Sequence, residues 1–457
     1  MERIGICGLG GKMEIVTVAE EVMNKAIKKR PDAVEVYTVE ESSAVIEIKE
    51  QEVDTFQSAS SRGLALRVLL GKRMGFSYTS DLSHNAITTL IKEAFENALY
   101  NEEDMFISFA KKNGGTTIAH LYDDKLKKVG EKEKIERGMK LERAAIQYDR
   151  RIKKVRHASY EDSEYSTVLI NSNGVKSVYR DTVCSTSIML VAEDGKNSET
   201  GWEFDYNRFY DSVKIDEVGI EAAKKAIGML GAKRINTCHV PVILDPKVSS
   251  DFIGILSSSL SADSVQKGKS MLADKLNSII ASRIVNLVDD GTLEGGIGSA
   301  PVDGEGTPTM KTHLIEGGYL KGLLHNIYTA NKGKTVSSGN GIRGGFKGLP
   351  GVGITNLYIE KGDISREDLM RGINKGIYIT EAMGVHTANP ISGDFSIGIT
   401  GHWIENGEIS FPVRGVVIAG NILDLFKNVE AIASDLRFFG RIGSPSVKIS
   451  EVVISGN

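Results

Sequence analysis

Residues 289–361 read DDGTLEGGIGSAPVDGEGTPTMKTHLIEGGYLKGLLHNIYTANKGKTVSSGNGIRGGFKGLPGVGITNLYIEK. Short alternating runs at 311–315, 319–324 and 354–359 sit between the glycines. That alternation marks strands joined by tight turns, not a linker. Glycine frees the backbone for positive φ and lets other groups approach the main chain closely, so the segment is expected to frame a cleft. Asp303, Glu305 and Gly306 in the DGEG run, and Ser338, Gly339 and Asn340 after Ser337, are the candidate lining of a binding cavity. The plainer reading of Asp303 and Glu305 is that they make local turn hydrogen bonds.

Working upstream, apolar spacing predicts a helix over 16–29, strands over 33–39, 44–49, 63–70 and 73–78, and a helix over 81–100. A charged segment, 123–156, carries one apolar stripe (Ile135, Met139, Ala145, Ile146) and predicts an amphipathic helix. Its basic end, 150–156 (RRIKKVR), has glutamates just upstream and no interleaved aromatic, so a nucleic-acid patch is not favoured. Strands are expected over 167–171, 176–179 and 184–191, and a helix over 213–230. A strand at 240–244 runs into Asp245-Pro246, an N-cap followed by proline at the first helical position. The helix they open, to Leu260, carries Val248, Phe252, Ile255 and Leu256 on one side and serines on the other. Downstream come strands at 377–380, 394–402, 409–413 and 415–419, a last helix from Asn421 through Ile432, and a strand over 447–454.

The fold class is therefore α+β: an N-terminal helix and antiparallel-strand region, then a larger β-rich C-terminal domain with antiparallel sheets and a few helices. We divide the chain into a Gly-rich flexible leader (1–12), an N-terminal α+β domain (13–120), a middle helix and strand region (121–235) and a β-rich domain (236–457). The leader GICGLGGK lacks GxGxxG spacing and a preceding strand, which argues against a dinucleotide loop. With 457 residues, 41% hydrophobic and 25% charged, the chain can bury a sizeable core. A net charge of -4 gives no general pull toward nucleic acid or an anionic membrane. Scattered Cys7, Cys184 and Cys238, no apolar run of spanning length and no apolar leader together predict a cytoplasmic protein.

Several stretches together resemble the TldD/PmbA family, once described as modulators of DNA gyrase. They are 62–83 (RGLALRVLLGKRMGFSYTSDLS), 171–174 (NSNG), 241–246, 268–272 (GKSML), 302–308 (VDGEGTP), 338–340 (SGN), 393–408 (GDFSIGITGHWIENGE), 412–413 and 419–423 (AGNIL). Each is weak alone; their number and order carry the resemblance. It implies two branches. One resembles a zinc peptidase with an HExxxH helix and a late cysteine ligand, in which zinc acidifies a bound water and a glutamate takes the proton. The other, PmbA or TldE, is its partner and lacks the metal motif. Five residues turn about 140° around an ideal helix, so two histidines at that spacing share a metal only on a distorted one.

Anchoring on Leu260, Asp263, Gly268 and Ser270, a gap-free carry-over of HExxxH falls on Ile253, Gly254 and Ser258. None can ligate zinc or act as base, no cysteine follows Cys238, and neither HExxH nor HExxxH occurs. The resemblance thus implies a partner subunit with no cofactor of its own. It would be joined to an HExxxH-bearing TldD-like chain that supplies the zinc, and would help hold an extended peptide. One alternative is a homodimeric peptide- or ligand-binding protein without catalysis. Another is a stand-alone metalloenzyme drawing on His313, His325, His386 and His402 with Asp303 and Glu305, whose loose spacing matches no metal motif. A nucleophile at Ser337 or Ser338 has no GxSxG context.

Overall fold

A computed structural model describes residues 12–112 and 117–456. The leader expected over 1–12 lies outside them, apart from Lys12, where the first helix begins.

The first half is built twice from the same parts. Helix α1 (Lys12–Ile27) is followed by strands β1 (Ala33–Lys49), β2 (Glu52–Leu70) and β3 (Arg73–Thr79) and by α2 (His84–Tyr100). Helix α3 (Glu131–Tyr148) is followed by β4 (Ile152–Asn171), β5 (Lys176–Asp194) and β6 (Asn197–Asn207) and by α4 (Ile215–Gly228). The two αβββα units join through antiparallel β1 and β4 into one sheet of order β3-β2-β1-β4-β5-β6. In each unit the last helix rests on a glycine of the edge strand. A Cβ on Gly75 would sit 1.8 Å from the Ala94 carbonyl oxygen, and one on Gly201 2.0 Å from that of Ala222.

Three sequence expectations change here. The segment 123–156 is not one helix: α3 stops at Tyr148 and the basic run enters β4. Register shifts between Ile152 and Lys154 and between Val155 and His157 bury Ile152 and Val155 three residues apart, a spacing that imitates a helix. The expected pieces of β1 merge, because Glu40–Ser43 hydrogen-bond to strands on both sides even where apolar alternation lapses. Strand β6 was not expected at all.

Successive strand residues face opposite sides. Val34, Val36, Leu64, Leu66 and Val68 pack under α1 and α2, and Ala158, Ile188 and Leu190 under α3 and α4. The other face carries Glu35 and Arg67 toward the C-terminal half. Just past the end of β6, Arg208, 1% exposed, donates to the carbonyls of Gly296 (2.7 Å), Ile297 (3.0 Å) and Ser299 (3.0 Å). The glycine-rich segment is thereby bolted to the sheet.

The C-terminal half holds two further six-stranded sheets around its own apolar core. In one, β7 (Cys238–Leu244) lies between Lys375–Met383 and Val447–Ser455. Both sheets are mixed rather than purely antiparallel, since β7 runs parallel to Lys375–Met383 and Leu357–Ile359 parallel to Ile442–Ser444. The long connections between these partners permit parallel pairing. Helix α5 (Pro246–Ser257) follows β7, capped by Asp245, whose side chain accepts from the Lys247 N–H at 3.0 Å. The last helix is only Ile422–Lys427, and Val429–Ile432 is a strand. A register shift between Val429 and Ala431 again gave helical apolar spacing. Within the glycine-rich segment the strands are short: Lys311–Glu316, Tyr319–Leu320 and Leu357–Ile359. No helix among the described residues is long and apolar enough to cross a membrane.

Candidate functional site

The DGEG loop is shaped by its own aspartate. Asp303 Oδ1 accepts from the N–H groups of Glu305 and Thr307, both at 2.9 Å, and Oδ2 accepts from the Gly341 N–H at 2.8 Å. Gly306 has φ +86, where a side chain is strained, and its Cβ would press on Leu169 and Val175 at 2.9 Å. The loop therefore sits tightly against the N-terminal sheet and turns Glu305 toward β2. Glu305 Oε2 accepts from the Ile327 N–H (2.8 Å), at the start of the Ile327–Gly333 helix. Its Oε1 lies 3.8 Å from Arg67 Nη1.

Arg67 in turn makes a bidentate pair with Glu35, Nε to Oε1 at 2.8 Å and Nη2 to Oε2 at 2.7 Å. Arg343 donates to the same Glu35 and, through Nε, to the Gly304 carbonyl at 2.6 Å. Three carboxylates and two guanidiniums thus meet between the sheet and the glycine-rich segment, all buried. Burial raises the Asp303 carboxyl, and Glu305's charge raises it further; three N–H donors only partly offset this. Burial likewise raises Glu305, with Arg67 pulling against it. The pair is biased toward holding a proton.

In front of this cluster lies a cleft of about 320 Å³ lined by Arg67 and Glu305, by apolar Met74, Ile107, Leu349 and Val352, and by the paired Asp263 and Lys267. Of the expected lining residues, Glu305 reaches the cleft. Asp303 and Asn340 are 6% and 1% exposed and stand in the wall behind it. Asn340 donates to Asp289 Oδ2 (2.7 Å) and the Gly353 carbonyl (3.0 Å). Ser338 Oγ accepts from the His325 N–H (2.8 Å) and donates to Asn340 Oδ1 (2.7 Å). Gly339, at φ +72, packs against the Pro308 carbonyl. The Ser337–Asn340 run is thus a brace for the loop around His325, and both serine hydroxyls bond to that loop's backbone.

Helix α5 places the degenerate positions differently from one another. Ile253 is fully buried in the C-terminal core. Gly254 and Ser258 line a separate open cleft of about 390 Å³ with Ser250, Asp251 and His386. Isoleucine and glycine offer no ligand atom, and the Ser258 hydroxyl bonds weakly back to the Ile255 carbonyl (3.4 Å). These residues do not fit a zinc ion. The other candidate histidines stand on separate elements. His313 is in the Lys311–Glu316 strand, and His325 precedes the Ile327–Gly333 helix. His402 lies in the Asp394–Glu405 strand, its ring 3.3 Å from the Gly228 carbonyl. Burial lowers the basicity of His325 and His402. Among the described residues no group of three or more His, Cys, Asp or Glu side chains is placed to hold a metal.

Residues 34–98, 124–230 and 237–456 match, in order, domain 1, the central domain and the C-terminal domain of the PmbA/TldA metallopeptidases. The chain belongs to the TldD/PmbA metallopeptidase family. It is 29% identical over 434 residues to a Buchnera aphidicola metalloprotease PmbA homolog, covering 93% of each. It is 28% identical to the Escherichia coli metalloprotease PmbA, covering 96% of each. A Thermotoga maritima crystal structure described as a putative modulator of a DNA gyrase superposes with a TM-score of 0.89 at 27% identity. That match covers 96% of this chain and 100% of the other. In this TldD/PmbA chain, Glu35, Arg67 and Arg343 are the cluster residues that motif reading missed, and of these three Arg67 lines the cleft. A signal existed: Glu35 and Arg67 interrupt the apolar runs AVEVY and ALRVLL, where a buried charge must find a partner.

Proposed function

We propose that this chain is the non-catalytic, PmbA/TldE-type subunit of a TldD/TldE-like metallopeptidase. The catalytic zinc and its base belong to an HExxxH-bearing partner, and this chain closes the substrate cavity and holds an extended peptide. The carrying observation is helix α5, where Ile253, Gly254 and Ser258 stand at the motif positions and Ile253 is committed to the core. The cleft at Arg67 and Glu305 supports the peptide-holding part of the reading. It is largely apolar, has a polar floor, and has Gly351 in its wall, where another main chain can approach closely.

The test is a peptidase assay on this chain alone, on an HExxxH homologue alone and on the two together. The mixture should exceed the homologue, and this chain alone should be inactive. A mixture no faster than the homologue sinks the subunit role; chelator-sensitive cleavage by this chain alone sinks the non-catalytic one.

A further inference from the structure

Arg67 and Glu305 are 5% and 3% exposed, and each has one polar atom uncommitted. Arg67 Nε and Nη2 are both spent on Glu35, and Glu305 Oε2 on the Ile327 N–H. That leaves Arg67 Nη1 and Glu305 Oε1. They are 3.8 Å apart, too far to bond to each other, and neither has another hydrogen-bond partner among the described residues. Both residues line the cleft, so these two atoms are open to a partner that enters it. The cleft floor therefore offers one donor and one acceptor side by side. Arg67 and Arg343 stand against Glu35 and the Asp303–Glu305 pair, which is biased toward holding a proton, and Asp263 stands against Lys267. The floor thus presents a donor–acceptor pair more than a net charge.

A β-strand residue presents the same pair. In the hydrogen-bonded pairs of an antiparallel ladder, two opposed residues exchange both N–H···O=C bonds, so the N–H and C=O of one residue point the same way. Resting on the peptide-holding role argued above, we infer that Arg67 Nη1 and Glu305 Oε1 form a strand edge built from side chains. The guanidinium donates to the main-chain carbonyl of one residue of an extended peptide, and the carboxylate accepts that residue's N–H. Met74, Ile107, Leu349 and Val352 line the walls as apolar surface for the flanking side chains. Recognition of this kind reads backbone and conformation, and tolerates sequence.

The test is made on the ligand, so it needs no change to a buried cluster. Binding of an acetyl- and amide-blocked Val/Ser pentapeptide is measured by calorimetry, with this chain and with its complex with an HExxxH partner whose motif glutamate is replaced by glutamine. The same measurement is made with versions of the peptide N-methylated at one amide at a time, and with the unblocked peptide. The blocked peptide is expected to bind, and methylation at one residue to weaken it ~10-fold or more, the loss of a hydrogen bond to a charged group. If the peptide binds and no single methylation weakens it, the strand-edge inference is wrong while the peptide-holding role survives. If only the unblocked peptide binds, the cleft reads chain ends, and the inference is equally wrong. If no peptide binds either preparation, the peptide-holding role itself falls.

Discussion

Arg67 stands at the centre of a strand stretch, Gly63–Val68, whose residues are buried on both faces. Such a site tolerates a charge only when it is paired and hydrogen-bonded. Glu35 supplies two bonds and Glu305 the next nearest charge. Removing one partner of a buried ion pair typically costs about 3–5 kcal/mol, because the survivor is left uncompensated. Arg67→Met should therefore lower stability by about that much in urea melts; a loss below about 1 kcal/mol would mean the cluster is solvated. The Asp303–Glu305 pair has the opposite sign from ordinary salt-bridged carboxylates. Both carboxyls are raised by burial. From about pH 4, where they titrate in the unfolded chain, upward through their folded titration, the native state therefore binds more protons. Stability contributed by the pair is greatest in mild acid and is lost as pH rises through that window. Asp303→Asn should flatten the fall in melting temperature over this range relative to wild type. Equal slopes would show that the pair titrates normally.

At the scale of elements, the two αβββα units depend on a strand glycine under each closing helix. Gly75→Ala and Gly201→Ala push a methyl into the backbone of α2 and α4 respectively. Each is expected to cost about 1–3 kcal/mol, the usual range for overpacking, read as a shifted denaturation midpoint at unchanged slope. No shift in either would mean the helices ride free of the sheet. Much of this architecture was legible in the sequence. The alternation around Leu64–Leu70, the turn at Gly71-Lys72 and the Asp245-Pro246 start of α5 all declare themselves locally. Two misread segments share one cause: bulges at Ile152–His157 and Val429–Ala431 bury strand residues at helical spacing. The cleft cluster was legible only in part, for a different reason: the charges of Glu35 and Arg67 break apolar runs, but their partners are not local. Arg343 and Glu35 are 308 residues apart in sequence, and no local pattern announces a pair that only tertiary packing creates.

For the whole molecule, the informative fact is that the cleft and the motif positions are separate. The DGEG loop, Arg208 and Arg343 bind the glycine-rich segment to the N-terminal sheet and shape a cleft there. The motif positions on α5 face the core or a different cleft. A subunit that encloses substrate while its partner cuts would divide the work in this way. The most direct measurement is the peptidase rate of the complex between this chain and an HExxxH partner whose motif glutamate is replaced by glutamine. The account predicts background activity, with this chain folded and still associated. Chelator-sensitive cleavage persisting in that complex would contradict it and place the catalytic machinery in this chain.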